Sequence, residues 1–257
     1  MCFLGVYKIL APYGFSLSTN NAAPYLCTHT PIPPCHCAPT HTPPKTPKGE
    51  NRERGGAMGR AHAGDPDVIA TIWGSLLGDG WGERRALSTR LHLHASTKNM
   101  GYISAFHNFF SSRGLASPKR PKINKCISKG STVYYTVKVR TYSYKEWNWI
   151  WQAFYGSGNK RVPLNCQEML TPRALAIWYA DDGGLSGVGC QLHTDSFSRE
   201  CVERLQHALC SRWGLHWTIQ RHKKNYTLYL PWGECEQFAA LVRPHLCKSM
   251  HYKLRFR

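Results

Sequence analysis

Acidic residues are scarce in this chain. Its 257 residues include 15 Asp and Glu against 33 Lys and Arg, which gives a formal net charge of +18. A basic excess of this size indicates a polyanionic partner, because clustered positive charge attracts phosphate-rich polymers. The chain also lacks any apolar run near the roughly 20 residues that a membrane-spanning helix needs. Most basic residues fall on strand-like stretches, so nucleic acid is favoured over a membrane surface.

Regular cysteine spacing is absent as well. The 11 cysteines are an odd number, they are scattered, and no convincing signal peptide precedes them. This pattern excludes a disulfide framework and indicates reduced thiols. We interpret the isolated or helix-patterned cysteines as small core hydrophobes; they are Cys126, Cys166, Cys190, Cys201 and Cys210. The Cys and His residues near the N-terminus fit no zinc module.

The first 64 residues differ in composition from the rest. They contain most of the prolines, no acid before Glu50 and no arginine before Arg52. Such a composition predicts a disordered or poorly ordered leader. An organelle transit peptide and read-through from an upstream reading frame are both open interpretations. After the leader, residues 65–163 and 164–257 are predicted to form two halves of similar pattern.

Two helical stretches each end in an acid followed by glycine, at residues 73–80 (WGSLLGDG) and 175–183 (LAIWYADDG). Each has two small residues four apart, which lie on one helix face and allow close approach of a partner helix. They are Gly74 and Gly78 in the first stretch and Ala176 and Ala180 in the second. An acid at the negative end of a helix costs roughly 0.3–1 kcal/mol. Its recurrence predicts a duplicated unit that brings two acids together over a metal ion.

The pattern of each half reads helix, strand or strands, helix, two strands, helix. In the first half we predict strands at 90–96, 119–127 and 132–140 and helices at 68–77, 100–111 and 144–154. In the second half we predict strands at 190–194, 215–222 and 226–231 and helices at 175–183, 199–213 and 234–246. A further opening strand in each half, near 81–87 and 185–188, has only a weak pattern.

The later hairpin of each half separates an apolar row from a row rich in hydrogen-bonding groups. A two-stranded ribbon fits the major groove, where such groups distinguish base edges. The DNA-binding candidates are Arg90, His92, His94, Tyr134, Thr136, Lys138, Arg140, Gln191, His193, His216, Thr218, Gln220 and His222. Lys119, Arg120, Lys122, Lys125 and Lys129 are predicted to position phosphates. A plain solvated sheet face is the alternative for any one of them.

The endings Asp79-Gly80 and Asp182-Gly183, the stretch 170–184 and the segments 192–197 and 250–254 carry a family resemblance. Over about residues 67–257 the chain resembles the LAGLIDADG homing endonucleases, in the two-motif, single-chain form carried by group I introns. The resemblance implies an α+β fold of two pseudo-symmetric αββαββα halves that pack through their motif helices. Each half would contribute an antiparallel sheet to a DNA-binding saddle.

The same resemblance implies a catalytic site. Asp79 and Asp182 would be the catalytic metal ligands, one for each strand cut, together with the backbone carbonyls of Gly78 and Asp181. Lys160 and Lys253 would stabilise charge or a water network, with a phosphate contact as the alternative. Hard oxygen ligands favour Mg²⁺, with Mn²⁺ as a substitute. The spacing of the small residues pairs Asp79 with Asp181 instead, and the sequence leaves that conflict open.

The expected function is site-specific cleavage of double-stranded DNA in an intronless allele, which promotes intron homing. The alternative is an RNA maturase that assists splicing of its own intron, although the intact acids favour cleavage. A DNA-binding regulator has no helix-turn-helix pattern to support it. We expect a monomer on a long asymmetric site, encoded in an organelle (mitochondrion or chloroplast), without a membrane partner and with its own intron RNA as a second candidate partner.

Overall fold

The first half of the fold begins one helix before the first motif. The computed structural model describes residues 56–128 and 131–254, so most of the predicted leader and Lys129 lie outside the described residues. The first half contains α1 (Ala57–His62), α2 (Pro66–Leu77), β1 (Trp81–Arg84), β2 (Thr89–Ser96), α3 (Met100–Ser111), β3 (Ile123–Ile127), β4 (Val133–Arg140) and α4 (Asn148–Tyr155). After α1, the order is αββαββα.

The second half repeats this order after one short helix. It contains α5 (Cys166–Met169), α6 (Pro172–Asp182), β5 (Gly183–Ser186), β6 (Gly189–His193), α7 (Arg199–Trp213), β7 (Thr218–His222), β8 (Asn225–Leu230) and α8 (Trp232–Val242). Both sheets are antiparallel and have matching orders, β1-β2-β4-β3 and β5-β6-β8-β7. The predicted α+β fold with two αββαββα halves is confirmed, including the weakly patterned opening strands.

Both motif helices start with the same local chemistry. The Asp65 side chain accepts a hydrogen bond from the Asp67 backbone N–H (2.8 Å), and Pro66 occupies the first helical position of α2. The Thr171 hydroxyl likewise accepts from the Ala174 N–H (3.2 Å), and Pro172 opens α6. A side-chain cap accepts a hydrogen bond from a backbone N–H that a helix start leaves unpaired, and a proline in the first turn has no N–H that needs a partner. Each cap therefore fixes where its motif helix begins.

The two motif helices pack against each other through glycine. A Cβ atom added to Gly74 would overlap the Ala174 carbonyl and the Ile177 side chain, and one added to Gly78 would lie 2.5 Å from the Asp181 Cβ. Glycine is therefore needed for this approach. The expectation that Ala176 and Ala180 supply the matching surface is wrong, because Ala174, Ile177 and Asp181 provide the atoms nearest to the two glycines.

Helix α1 corrects the predicted leader boundary at residue 64. The Trp147 indole N–H donates to the Ala63 carbonyl (2.8 Å), and Ala63 is fully buried. Gly59 packs against the Tyr144 hydroxyl and the Gly114 carbonyl so tightly that a Cβ would collide with both. Residues 57–63 therefore belong to the folded part, because their backbone completes contacts of the first half that composition does not reveal.

The core lies between the helices and one face of each sheet. Leu91, Leu93, Val137 and Val139 are buried on the first sheet. Val133 and Tyr135 alternate in step with Val137 and Val139 along β4, yet they are 45% and 48% exposed. Of the cysteines predicted as core residues, Cys166, Cys190 and Cys201 are buried, while Cys126 and Cys210 are partly exposed.

No helix within the described ranges has the length and apolar character to span a membrane.

Candidate catalytic centre and nucleic-acid interface

The acids of the two motifs come together where the motif helices end. Asp79 follows Gly78, the C-cap of α2, whereas Asp182 is the last residue of α6. Burial and, after it, the nearby charge of Asp79 raise the pKa of Asp182 from 3.8 to about 7, against the opposing effect of Lys160 and Lys253. This mutual influence places four predicted catalytic side chains in one electrostatic cluster.

Asp79 occupies the more open position in this cluster. The residue lies at the surface, yet the protein around its carboxyl removes enough water to raise its pKa. Lys253 and Lys160 act in the opposite direction and lower it. The loss of water raises the pKa of Asp79 by more than the two lysines lower it. This balance is expected for a carboxylate that has no counter-ion in close contact.

The two lysines hold the ends of the motif segments. Lys160 Nζ donates to the carbonyls of Gly78 (3.2 Å) and Gly80 (3.3 Å). Lys253 Nζ donates to the carbonyls of Ala180 (2.7 Å) and Asp181 (3.4 Å). Ammonium groups interact favourably with the carbonyls that a helix C-terminus leaves unpaired. The two predicted backbone ligands, the Gly78 and Asp181 carbonyls, therefore already accept lysine hydrogen bonds.

Burial also affects the two ammonium groups. It lowers the pKa of Lys160, and the charges of Asp182, Asp181 and Asp79 partly restore it. The pKa of Lys253 is lowered for the same reason and opposed by the same three acids. The tail that carries Lys253 is anchored beside the site, because the Tyr179 hydroxyl donates to the Lys253 carbonyl (2.7 Å).

The Asp181 side chain lies in the helix interface. Its Oδ1 accepts a hydrogen bond from the Tyr102 hydroxyl (2.7 Å), and its Oδ2 is buried without a hydrogen-bond partner. Burial holds the pKa of Asp181 well above its usual value, and the charge of Asp79 adds to this effect. Asp181 therefore faces Gly78 and α3, which favours Asp182 as the counterpart of Asp79.

The donor set of the cluster fits a hard divalent cation. Among residues 56–128 and 131–254, no side chain forms a hydrogen bond or ion pair with the carboxylate of Asp79 or Asp182. Two neighbouring carboxylates with free oxygen atoms are the ligands that Mg²⁺ uses, with water completing its coordination. The residues present therefore match the type of metal that the sequence predicts.

The first sheet carries an acid that the strand patterns missed. Glu83 on β1 pairs with Arg85 (2.8 Å), just after the strand, and with Arg90 (2.6 Å) and His92 (2.7 Å) on β2. The His92 ring also stacks on Trp81 with centroids 4.8 Å apart. Burial lowers the pKa of His92 to about 4, although Glu83 raises it. His92 is therefore an internal support of this face, because its Nε2 bonds Glu83 and its ring stacks on Trp81.

Several predicted DNA-binding residues of the first half do remain accessible. Register pairs His94 with Lys138, and both are exposed, as are Tyr134 and Arg140. Thr136 is only 6% exposed and lies beside Cys126. A base contact by His92 or Thr136 therefore finds no support in this arrangement, because neighbouring side chains cover both.

A basic groove borders this sheet. It has a volume of about 780 Å³. Its lining includes Arg85, Arg90, Lys119, Arg120, Lys122, Lys138 and Arg140. Lys125 is placed elsewhere, because its register with Tyr135 puts it on the opposite side of β3 from Asn124. Three of the five predicted phosphate-positioning residues therefore lie together, Lys125 does not, and Lys129 lies outside the described residues.

In the second sheet the predicted residues form cross-strand rows. Gln191 is opposite Tyr229, which is opposite Thr218; His193 and Gln220 are likewise both opposite Thr227. His222 lies at the end of β7, and its Nδ1 is 2.9 Å from Asp195. His216 precedes the strand and is held by Glu234 through its backbone N–H (2.5 Å) and its ring (3.3 Å).

Sequence reasoning missed the acids and aromatic residues that organise these faces. Glu83, Asp195 and Glu234 each bind at least one predicted histidine. Alternation along the chain would have found Asp195, which lies two positions after His193. Glu83 and Glu234 reach their partners from neighbouring elements, and no local pattern indicates such pairings.

Comparison with known proteins agrees with the fold. Residues 69–238 match the model of the LAGLIDADG DNA endonuclease family. The cytochrome b mRNA maturase bI2 of Saccharomyces cerevisiae is 31% identical over 199 residues, which cover 73% of this chain and 47% of that protein. The chain thus spans under half of the length of the yeast maturase. DNA endonuclease I-ChuI of Chlamydomonas applanata is 26% identical over 210 residues, which cover 71% of this chain and 92% of that enzyme.

A solved structure shares the architecture. The homing endonuclease I-WcaI, bound to its DNA recognition sequence, superposes with a TM-score of 0.69 and 24% sequence identity. The superposition covers 75% of this chain and 88% of that one. At this identity the likeness establishes the fold.

Proposed function

Because this chain belongs to the LAGLIDADG DNA endonuclease family, we propose that it is a site-specific homing endonuclease. It makes a double-strand break in an intronless allele and so promotes insertion of the intron that encodes it. The observation that carries this proposal is the cluster of Asp79, Asp182, Lys160 and Lys253, which the two halves assemble at the ends of the packed motif helices. Each half supplies one acid and one lysine, as the cutting of two strands requires.

Asp79 and Asp182 hold the divalent ion in this proposal. Divalent metal ions are general in this class of endonuclease, and the oxygen donors support Mg²⁺, with Mn²⁺ as a substitute. Such an ion, when bound, would activate water and stabilise the leaving 3′ oxygen. Lys160 and Lys253 keep the two motif ends in place through backbone carbonyls and carry positive charge toward the phosphates.

The two sheets bind the duplex. In the first half His94, Lys138 and Arg140 are exposed on one face and are proposed to contact base edges or phosphates. In the second half Gln191, His193, Thr218 and Gln220 take that role. Because the two sets differ, each half reads a different half-site, and the whole site is long and asymmetric.

A single chain is proposed to act alone. Both motif helices come from one polypeptide and already bury their shared surface, so no second copy is needed to complete the site. Analytical ultracentrifugation with and without DNA should give one protein chain per duplex. An obligate dimer would contradict the proposal.

RNA maturation is the second candidate function. The observation that favours it is the 31% identity to a cytochrome b mRNA maturase over 199 residues. Relatives encoded by introns, one of them acting on cytochrome b mRNA, also support an organelle gene. The acid pair favours cleavage, because a protein that only assists RNA folding has no use for a metal-binding carboxylate cluster.

The deciding experiment uses the purified full-length protein with Mg²⁺ and a plasmid that carries the joined exons around the intron insertion site. Linearisation by the wild type, with none by the Asp79→Asn/Asp182→Asn variant, supports the endonuclease. A plasmid that stays intact, together with faster splicing of the intron RNA, supports the maturase. Asp181→Asn tests the assignment of the second acid: if it abolishes cleavage and Asp182→Asn does not, Asp181 is the ligand.

A further inference from the structure

Three metal-binding side chains converge at one end of the second sheet. His193 is the last residue of β6, Asp195 follows two positions later, and His222 is the last residue of β7. One ligand atom from each residue lies within 4.8 Å of the other two. His193 Nδ1 is 3.4 Å from Asp195 Oδ2, and His222 Nδ1 is 2.9 Å from Asp195 Oδ1. This group is called the His-Asp-His triad.

We propose that the His-Asp-His triad is a binding site for one transition-metal ion of the Zn²⁺ class. Two imidazoles and one carboxylate are a common three-ligand set for zinc, with a water molecule in the fourth position. Metal–ligand bonds of about 2.0–2.1 Å in tetrahedral geometry place ligand atoms about 3.3 Å apart. Each Nδ1 in the triad is near a different oxygen of Asp195, at 3.4 and 2.9 Å, and one ligand atom from each residue lies within 4.8 Å of the other two.

The triad is also accessible and locally fixed. The side chains of His193, His222 and Asp195 are 49%, 44% and 35% exposed, so an ion and its water can reach them. The turn between β6 and Asp195 is held by the Thr194 hydroxyl, which donates to the Tyr226 carbonyl (2.7 Å). Small rotations of partly exposed side chains then suffice to direct all three ligand atoms at one ion.

This site differs chemically from the Asp79–Asp182 cluster. The cluster offers carboxylate oxygens, which suit Mg²⁺, whereas imidazole nitrogen selects Zn²⁺, Ni²⁺ or Co²⁺ over Mg²⁺. The two sites should therefore load different ions from the same solution. A matched pair elsewhere, His216 with Glu234, offers only two such residues and serves as the control.

The test is a Co²⁺ titration of the metal-free full-length protein without DNA, followed by visible absorption and by ion stoichiometry. We expect His193→Ala, Asp195→Asn and His222→Ala each to lower the stoichiometry by one ion or to weaken that ion's binding at least tenfold. His216→Ala and the Asp79→Asn/Asp182→Asn variant should retain it in the presence of millimolar Mg²⁺. Ions bound elsewhere, for example by the N-terminal cysteines, would persist in every variant.

The proposal is overturned if the three triad variants bind as many ions as the wild type and with equal affinity. Asp195 would then serve only to orient two histidines. A second measurement rests on the proposed DNA binding: because a metal-bound imidazole cannot contact a base, Zn²⁺ should weaken specific DNA binding by the wild type but not by His222→Ala. If the protein does not bind DNA but the Co²⁺ titration gives the expected result, the proposed function is contradicted and the metal site is not.

Discussion

Replacement of Asp182 by Asn should stabilise the metal-free protein at alkaline pH while it abolishes cleavage. Burial and the charge of Asp79 raise the pKa of Asp182 from 3.8 to about 7. The folded state therefore holds this proton more tightly than the unfolded state does. The contribution of Asp182 to the free energy of unfolding is fully present below about pH 4 and is lost as the pH rises through about 7. Asparagine has no proton to lose and avoids that loss.

The size of the effect follows from the pKa shift. A rise from 3.8 to about 7 spans about 3 pH units, and each unit is worth about 1.36 kcal/mol, which gives an upper limit of about 4 kcal/mol. Water reaches part of the carboxyl and screens its charge, so we expect about 1–3 kcal/mol. For a folded region of this size, 1 kcal/mol shifts the melting temperature by about 2–4 °C. The variant should therefore melt about 2–12 °C higher at pH 8.

Thermal melts in EDTA at pH 5 and pH 8 measure this difference. The wild type should lose more stability between the two pH values than Asp182→Asn does, and Mg²⁺ at pH 8 should stabilise only the wild type. Glu236→Gln, at an exposed position of α8, is the control for loss of one negative charge. A variant that melts lower than the wild type in EDTA at pH 8 would refute the electrostatic reasoning, because Asp182 would then be a structural group.

Three further results follow from the same contacts. Asp79→Asn should abolish double-strand cleavage in a plasmid assay and change DNA affinity by less than a few fold, since phosphate contacts elsewhere supply most of the affinity; collapsed binding would make Asp79 structural. Gly74→Ala should cost about 1–3 kcal/mol in a denaturant melt because its Cβ meets the Ala174 carbonyl, whereas Gly184→Ala, with open space around it, should be close to neutral. A protein that starts at Gly56 should keep wild-type cleavage, and one that starts at Asp65 should melt lower because it lacks α1; equal melting temperatures would contradict the packing of that helix.

Local signals in the sequence determined most of the secondary structure. The predicted helices at 100–111 and 199–213 coincide with α3 and α7, because a continuous apolar stripe runs along each. Strand alternation located β2, β4 and β8 within a residue or so. The structure shows that Asp65 with Pro66 and Thr171 with Pro172 begin α2 and α6. The repetition of this order after about a hundred residues was sufficient to predict two similar halves.

The tertiary structure decided which residues meet. Each step along a helix turns the side chain by about 100°, so the choice between Asp181 and Asp182 depends on how α6 is rotated against α2. Small residues alone suggested the wrong phase, and the contact of Gly78 with Asp181 corrected it. Burial likewise removed His92 from the DNA-binding set, because Trp81 and Glu83 come from the neighbouring strand.

The His-Asp-His triad shows the same division between local and tertiary information. The sequence places His193 and Asp195 two positions apart, which predicts that both lie on one face of a strand. It carries no sign that His222, from a strand pair formed later in the chain, lies within hydrogen-bonding distance of Asp195. Periodicity specifies the direction of a side chain relative to its own backbone. Distances between side chains remote in sequence are set by how the sheets and helices pack, and only the tertiary structure contains them.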